Sequence, residues 1–230
     1  MKRTLWSALL LSSIALSVGA QSPINFGTLV ARRDSFVVLV QGNVLGFHRT
    51  VVERTETGFR VVDDVEISPV MSQRTEVELL ADGTLRSTRQ AGRVRGHDTR
   101  IDVTYADGRA KGSATIPTVA GAHTITIDTT VAAGAIDDNL ITALLSAFAW
   151  TPTAEFTIPV FLSGKGEMQA VTLAVKATES ITVPAGMFEV YRVQLAGGPA
   201  PVAMYVTTAA PHRLIKVAPQ GTPLEFVLAK

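Results

Sequence analysis

Apolar residues recur at every second position in short segments along most of this 230-residue chain. In one such segment, Ile101, Val103 and Tyr105 fall on one side, and charged or hydroxyl-bearing residues fall on the other. This alternation is typical of a β-strand that buries one face. Asp-Gly pairs at 82–83 and 107–108 separate consecutive segments, and such pairs favour hairpin turns. The chain is therefore predicted to form a long antiparallel meander.

The alternation predicts strands in the first part of the chain at residues 36–40, 44–52, 59–67, 76–80, 85–88, 100–105, 109–116 and 123–129. The stretch from Thr178 onward continues the pattern, with Pro-x-Gly turns at 184–186 and 219–221. Segments 204–206 and 214–215 carry apolar side chains on both faces. A sheet that needs cover on both faces has to curl or to pack against another part of the chain.

One segment, residues 138–150, departs from the β alternation. Asp137 is its predicted N-cap, and Pro152 ends it by restricting the preceding residue. No charged side chain occurs between Asn139 and Glu155, so the helix is predicted to be buried along much of its girth. Its apolar face comprises Leu140, Ile141, Leu144, Leu145 and Phe148. The predicted fold is mainly β: a curved antiparallel meander or open barrel with this one helix packed into its concave side.

The first 20 residues have the composition of a secretory signal. Lys2 and Arg3 form its basic end, an apolar run follows, and small residues at 18–20 precede the expected cleavage site. The apolar run is too short to span a bilayer, although retention as an N-terminal anchor is the alternative. The signal predicts export to the periplasm or the medium. Residues 21–230 are then a single domain without a transmembrane span.

Charge and cysteine content narrow the function classes. Removal of Lys2 and Arg3 lowers the formal net charge from +1 to −1, which argues against a nucleic-acid partner. The chain has no cysteine, so disulfides and a lipid-modified cysteine are both excluded. The stability of the domain must come from its core.

No arrangement of reactive residues is visible in the sequence. The four histidines, His48, His97, His123 and His212, lack the spacing of a helical metal pair. Neither a Gly-x-Ser-x-Gly elbow nor a phosphate-binding glycine loop occurs. The acids of the pair Asp137-Asp138 are too close in sequence to act as opposed acid and base, and helix capping explains them. We predict a non-enzymatic protein without a metal or cofactor.

Two polar pairs and one basic region have alternative interpretations. His212-Arg213 and Tyr191-Arg192 are either polar anchors at the mouth of a cavity or strand residues whose polar ends face water. The basic region is either a patch for anionic lipid headgroups or an acidic polymer, or a solvent face that guards strands against edge pairing. Its members are Arg86, Arg89, Arg93, Arg95, Arg100, Arg109 and Lys111.

Several stretches resemble an uncharacterised exported bacterial family, the domain-of-unknown-function family numbered 3108. They are residues 182–188, 191–193, 205–206 and 210–216, with weaker likeness at 75–77, 82–85 and 138–150. The family pattern usually has Thr where Met187 stands and often has Trp where Tyr205 stands. The resemblance covers most of the chain after the signal and implies no established activity.

Three functional hypotheses follow. The first is an envelope protein that binds a lipid or another apolar molecule between sheet and helix, an architecture that would resemble the periplasmic lipoprotein-localisation carriers. The second is a module that binds another envelope protein by strand addition or through a loop face. The third and least favoured is a hydrolase. For the first, the candidate ligand-binding residues are Leu140, Leu144, Leu145, Phe148, Trp150, Phe188, Tyr205, Tyr191, His212 and Arg213.

Overall fold

One continuous sheet of 15 strands makes up most of the protein. It is seen in a computed structural model that describes residues 22–118, 121–198 and 201–229. The predicted secretory signal, residues 1–20, lies outside the described residues. No helix in the described part of the chain is long and apolar enough to cross a membrane.

The first eight strands are β1 (Arg32–Val40), β2 (Asn43–Arg54), β3 (Gly58–Ile67), β4 (Met71–Leu80), β5 (Leu85–Val94), β6 (His97–Ala106), β7 (Arg109–Thr118) and β8 (Gly121–Thr130). The others are β9 (Ile136–Asp137), β10 (Glu155–Leu162), β11 (Glu167–Val183), β12 (Gly186–Ala196), β13 (Val202–Thr207), β14 (Leu214–Pro219) and β15 (Leu224–Leu228). A 3-10 turn (Phe26–Thr28) precedes β1. Between β9 and β10 lie a second 3-10 turn (Asp138–Leu140), helix α1 (Ile141–Leu144) and a third 3-10 turn (Leu145–Ala147).

The strand order runs from β8 down to β1, then to β15, and down again to β9. The first and last strands are therefore neighbours, and Phe36 of β1 lies opposite Leu228 of β15. All the pairs are antiparallel except the short β9–β10 pair. The prediction of a mainly β, curved and open antiparallel sheet is confirmed. The sheet is open between β8 and β9, in the middle of the chain rather than at its ends.

Two strands extend further than their apolar pattern indicates. The apolar pattern of β5 fades after Leu85, because Thr88, Gln90 and Gly92 take the inner positions that follow. The strand nevertheless continues to Val94, since its backbone pairs with β4 on one side and β6 on the other. β4 likewise begins at Met71 instead of residue 76. Backbone pairing with neighbours extends both strands where side-chain burial gives no signal.

The predicted single helix over residues 138–150 is wrong in its form. The segment consists of two 3-10 turns around a four-residue α-helix, and Phe148 already has an extended backbone. Asp137 does cap its start, because its carboxylate accepts a hydrogen bond from the Asn139 N–H at 2.9 Å. Burial on nearly every side makes the apolar spacing a poor guide to a regular helix here. The side chains of Leu140, Leu144 and Leu145 join the main core with no exposed surface.

The turn between β10 and β11 packs across the opening of the sheet. Gly166, in this turn, lies so close to β8 that a Cβ atom placed on it would be 3.1 Å from Cγ1 of Ile127. Gly166 also has a φ of +70°, which glycine adopts with little strain. Gly164 faces Ile101 and Ile116 at van der Waals distance. Side-chain packing thus closes the gap that backbone pairing leaves open.

Truncation of the helical segment tests its role in the core. Leu144→Ala removes a fully buried side chain and should lower the free energy of unfolding by about 2–5 kcal/mol. Leu45→Ala is the matched control, because Leu45 is 40% exposed and such changes stay within roughly 0.5 kcal/mol. Chemical denaturation measures both variants. Equal losses would show that the segment is not part of the cooperative core.

Candidate ligand-binding cleft

The hairpin of β11 and β12 is longer than the strands beside it. β12 pairs with β13 only from Val190 to Leu195, so the chain between residues 178 and 189 extends beyond that neighbour. A register shift lies between Val175 and Ala177, where the hairpin changes direction. We call residues 179–190 the distal hairpin.

The distal hairpin reaches back over the strands that follow it. The Ala185 N–H donates to the Leu228 carbonyl at 3.2 Å, at the end of β15. The Thr208 N–H donates to the Glu189 carbonyl at 3.0 Å. The first bond holds the tip of the hairpin against the end of β15, and the second holds its base against the end of β13. The apolar side of the hairpin, which carries Ile181 and Val183, therefore lies opposite the outer face of the sheet.

A row of paired residues forms the floor beneath the distal hairpin. Tyr205 on β13 lies opposite Lys216 on β14, and Lys216 lies opposite Val227 on β15. Val227 in turn lies opposite Val37 on β1. Val227 is only 5% exposed although it points to the outer face of the sheet. The apolar residues on both faces, noted in the sequence, are therefore covered here by the chain's own hairpin.

A cleft of about 440 Å³ remains between the hairpin and this floor. Its wall and floor are mainly aliphatic, with one aromatic ring. We call it the hairpin cleft; it is lined by Val37, Leu39, Val44, Glu179, Ile181, Thr182, Val183, Pro184, Tyr205, Lys216, Glu225 and Val227.

The charged groups of the hairpin cleft are paired with one another or with a neighbour. Lys216 Nζ lies 2.7 Å from Glu225 Oε1 and 5.7 Å from the centre of the Tyr205 ring. Glu179 Oε1 lies 3.1 Å from Arg192 Nε. Because each charge has a partner of opposite sign, the cleft presents apolar surface with polar groups at its edge. Such a lining can hold an apolar body and contact a small polar end.

A second hollow, of about 480 Å³, lies at the end of the sheet that carries the β4–β5 and β6–β7 turns. Ser22, Phe26, Asp82 and Tyr105 are among the residues that line it. Ser22 is the first residue that the structure describes, so part of this wall adjoins undescribed chain. The hairpin cleft is the better-defined site, since strands and turns within the described residues form its whole lining.

The five predicted ligand-binding residues of the helical segment lie in the core. Their exposed fractions are 0% for Leu140, Leu144 and Leu145, 2% for Phe148 and 6% for Trp150. Trp150 donates from Nε1 to the Leu145 carbonyl at 2.7 Å, and its ring packs against Phe148. These side chains contact one another and their core neighbours.

The other predicted residues are spread over the last strands. Tyr205 lines the hairpin cleft, and Phe188 lies opposite Ile181 in the distal hairpin. Tyr191 is 8% exposed and lies opposite Val206, a residue of the inner face. The structure therefore brings only Tyr205, with Phe188 nearby, to the cleft.

His212 and Arg213 are used within the fold. Nδ1 of His212 lies 2.8 Å from the Thr207 carbonyl oxygen. Arg213 donates from Nε to Asp34 at 2.8 Å, and Asp34 is 4% exposed. Arg32 donates to the other oxygen of Asp34 at 2.9 Å and also to the Ala143 carbonyl. Asp34 thus links β1, the start of β14 and the helical segment through charged hydrogen bonds.

The described residues contain no group of three or more His, Cys, Asp or Glu side chains that could hold a metal ion. His48 Nε2 lies 3.2 Å from Asp63 Oδ1 on the inner face of β2 and β3. The Thr50 hydroxyl lies 3.3 Å from the same Nε2 atom. Because Thr50 and Asp63 contact one ring nitrogen, this group lacks the arrangement of a catalytic triad, in which the nucleophile and the acid contact different nitrogens. His97 and Asp98 are exposed at the start of β6.

Asp137, which is buried, and Asp138, which is half-buried, form an acidic pair that does more than cap the helical segment. Asp137 is fully buried, and its Oδ2 accepts hydrogen bonds from the Thr88 and Tyr105 hydroxyls, each at 2.7 Å. Asp138 Oδ1 accepts from the Ser163 N–H at 3.2 Å. Burial, together with the charge of Asp137, raises the pKa of Asp138 to about 7. Burial and the Asp137 charge also raise the pKa of Tyr105.

A family model described as "Protein of unknown function (DUF3108)" matches residues 37–223. This range includes the distal hairpin and most of the floor of the hairpin cleft. None of the curated proteins is significantly similar to the chain in sequence.

Solved structures of several bacterial proteins are similar to this chain. A beta-barrel-like protein of the domain of unknown function DUF1849 from Brucella abortus has a TM-score of 0.51 at 13% identity, covering 87% of this chain and 95% of that one. A protein from Bacteroides fragilis, described as exported and YmcC-like in fold, has a TM-score of 0.28 at 12% identity, with 86% and 93% covered. A protein from Parabacteroides distasonis, described as a lipoprotein, has a TM-score of 0.28 at 15% identity, with 91% and 99% covered. The similarity to the Brucella abortus protein supports a barrel-like sheet.

The acidic pair predicts that stability depends on pH. Because the pKa of Asp138 is higher in the folded protein than its ordinary value of 3.8, the folded state binds the proton more tightly. Its stabilising contribution is fully present below about pH 4 and is lost as the pH rises through 7. The melting temperature should therefore fall as the pH rises from about 4 to about 7, and level off at higher pH.

Asp138→Asn keeps an oxygen acceptor for Ser163 but cannot ionise. The melting temperature of this variant should therefore change much less with pH than that of the parent protein. Other groups that titrate in this range affect the variant and the parent protein alike. Thermal unfolding at closely spaced pH values makes the comparison. An identical pH profile for the variant and the parent protein would contradict the assignment to Asp138.

Proposed function

Because the chain belongs to the family of proteins of unknown function DUF3108, we propose its role from its own residues and geometry. It is an exported, non-catalytic protein of the cell envelope that binds an apolar or lipid-like ligand in the hairpin cleft. The observation that carries the proposal is the cleft itself, at about 440 Å³. Ligand pockets in proteins commonly enclose roughly 300–1,000 Å³ and are mostly apolar.

The lining of the hairpin cleft supports an amphipathic ligand with an apolar body. Val37, Leu39 and Val227 offer an aliphatic floor, and Ile181 faces them from the hairpin. The Lys216–Glu225 pair beside Tyr205 lies where a polar end could exchange hydrogen bonds with it. A strongly charged ligand is not favoured, because the cleft's own charges already have partners.

Export is supported by the composition of residues 1–20. A basic end, an apolar run and small residues before the expected cleavage site are the features that a secretion pathway recognises. An exported protein meets lipids and their precursors between or outside membranes. Apolar molecules have low solubility in that compartment, so a protein with a covered apolar cleft can hold them in water.

The non-catalytic part of the proposal rests on how the candidate groups are engaged. The His212 ring is positioned by the Thr207 carbonyl, and Arg213 is bound to buried Asp34. The helical segment fills the core, and in this proposal it supports the sheet while the distal hairpin forms the wall of the ligand site.

The first experiment analyses lipid in the mature protein, purified without detergent from its own cell envelope. Mass spectrometry of an organic extract should recover one lipid class in stoichiometric amount. Val37→Trp fills the floor of the cleft and should lose most of this lipid. Val70→Trp is the matched control on the exposed β3–β4 turn, where Val70 is 46% exposed, and should keep it. A clean extract from the parent protein, or equal lipid in both variants, would contradict ligand binding in the cleft.

A second candidate function, strand addition to a protein partner, is favoured by the free edge of β8. Within the described residues β8 pairs only with β7. The ladder begins with Arg109 opposite Thr130 and ends with Thr118 opposite Gly121. The β10–β11 turn packs on the buried side chain of Ile127 but forms no ladder with β8. The other edge of β8 therefore still offers backbone N–H and C=O groups to an extended segment.

Site-specific photocrosslinking tests strand addition. A photoreactive residue at Thr126, exposed on β8, should crosslink to one envelope protein in intact cells. The same residue at Thr104, exposed on β6 between two paired strands, should give no such product. Equal crosslinking from both positions would indicate that β8 has no specific partner.

A further inference from the structure

The outer face of β2 to β6 carries charged side chains in an alternating pattern. At several positions, residues that lie directly opposite one another on neighbouring strands have opposite charges. Opposite charges in such cross-strand positions stabilise a sheet, and like charges destabilise it. Two adjacent rows across the strands show the pattern: Arg49–Asp64–Arg74, and Glu76–Arg89–Asp102.

Ala91 interrupts this alternation on β5. It lies opposite Arg74 on β4 and opposite Arg100 on β6, so the row reads Asp64, Arg74, Ala91, Arg100. The alternation would place an acidic residue at position 91. Instead, an exposed methyl group stands between two arginines.

Two further arginines approach Ala91 along its own strand. Arg89 and Arg93 are two positions away on either side, and both are exposed on the same face. Directly opposite Cβ atoms lie about 5 Å apart in an antiparallel sheet. Positions two residues apart along a strand lie about 7 Å apart. Four guanidinium groups are thus anchored around one small, uncharged residue.

Space for a ligand exists on both sides of Ala91. One hollow of about 260 Å³ is lined by Ala91 together with Arg74, Arg89 and Arg100. Glu76 and Asp102 also line it, and their carboxylates are paired with Arg60 and Arg100. Another, of about 360 Å³, is lined by Ala91 with Arg49 and Arg74. Since alanine contributes only a methyl group, the two hollows meet at this position.

The four arginines differ in whether their guanidinium groups already form ion pairs. Arg74 donates to both oxygens of Asp64, the shorter distance being 2.6 Å, and Arg93 Nε lies 3.0 Å from Asp98. Arg100 makes only a long contact with Asp102, at 3.5 Å. Arg89 forms no ion pair with any described residue, because its neighbour Glu76 bonds instead to Arg60 at 2.6 Å. Arg89 and Arg100 therefore have donors free for an added anion.

We propose that the surface over Ala91 is an anion site that binds a phosphate group, with Arg89 and Arg100 as its main ligands. A phosphate oxyanion takes the place of the missing carboxylate in the charge pattern, and planar guanidinium groups match its geometry. The group belongs either to a phospholipid headgroup or to a free phosphate compound, both of which carry the same chemistry. This site is separate from the hairpin cleft and does not depend on ligand binding there.

The test uses the mature protein at low ionic strength, where surface charges are least screened. Inorganic phosphate is the first probe, and the Nε–Hε resonances of the arginines are followed by NMR. Phosphate should shift the Arg89 and Arg100 resonances in a saturable way. Ala91→Glu supplies the missing carboxylate, so it should weaken phosphate binding by about tenfold or more and raise the melting temperature.

Thr104→Glu is the matched control, because it adds the same charge to the outer face of β6 away from Ala91. This variant should retain phosphate binding. An unchanged affinity in Ala91→Glu, or an equal loss in both variants, would overturn the proposal. The melting temperatures show independently that both variants fold.

Vesicles distinguish the two sources of the phosphate group. Pure phosphatidylcholine vesicles are compared with vesicles that also contain phosphatidylglycerol, in a sedimentation assay. Sedimentation only with phosphatidylglycerol, reversed by inorganic phosphate and absent in Ala91→Glu, identifies a lipid headgroup. Saturable phosphate shifts without vesicle binding identify a free phosphate compound. If neither probe binds, the anion site does not exist.

Discussion

The closure of the sheet depends on a buried carboxylate as well as on backbone pairing. Backbone hydrogen bonds join β1 to β15, but no ladder joins β8 to β10 in the described residues. Across this opening, Asp137 accepts hydrogen bonds from Thr88 on β5 and Tyr105 on β6. Its other oxygen accepts from the Asn139 backbone N–H and side-chain amide. A buried charge is tolerated only when donors of this kind satisfy it.

This requirement also accounts for the irregular shape of the segment that follows Asp137. To point the Asn139 N–H at the carboxylate, the chain must turn tightly at once, and it does so in a 3-10 turn. Asp138 is then drawn to Ser163 in the β10–β11 turn, the turn that packs against β8. The short helix is therefore determined at its start by polar contacts and along its length by burial.

The fold was largely predictable because strand alternation is a local property. Each predicted strand of the first half lies within an observed one, since a side chain that points inward reveals itself by being apolar. The helix form was not predictable in the same way, because a segment buried on most sides has little periodicity to distinguish α from 3-10 geometry. The Asp34–Arg213 bond joins residues 179 positions apart. No local pattern relates such residues.

Among the residues that line the hairpin cleft, Tyr205 is the one that the sequence predicted as a ligand-binding residue, and the reason is similar. The spacing of apolar residues indicates that a surface must be covered, but it does not say by which segment. The helical segment was the apparent cover, yet it lies in the core, and the distal hairpin lies over Val37 and Val227 instead. That outcome depends on strand lengths: β12 has 11 residues, and β13 has only 6 to pair with it.

One rule relates the two proposed sites on the outer face of the sheet. Where that face is apolar, over β13 to β15 and β1, the chain covers it with its own hairpin and leaves a cleft. Where the face is charged, over β2 to β6, cross-strand ion pairs such as Arg74–Asp64 stabilise it in water without any cover. Each proposed site is a place where the outer face lacks part of what stabilises it, either cover for apolar surface or a partner for charge. In the cleft, apolar surface is only partly covered, and at Ala91 a negative charge is missing from the row that begins Arg49–Asp64–Arg74. The two defects differ in chemistry, so each selects a different kind of ligand.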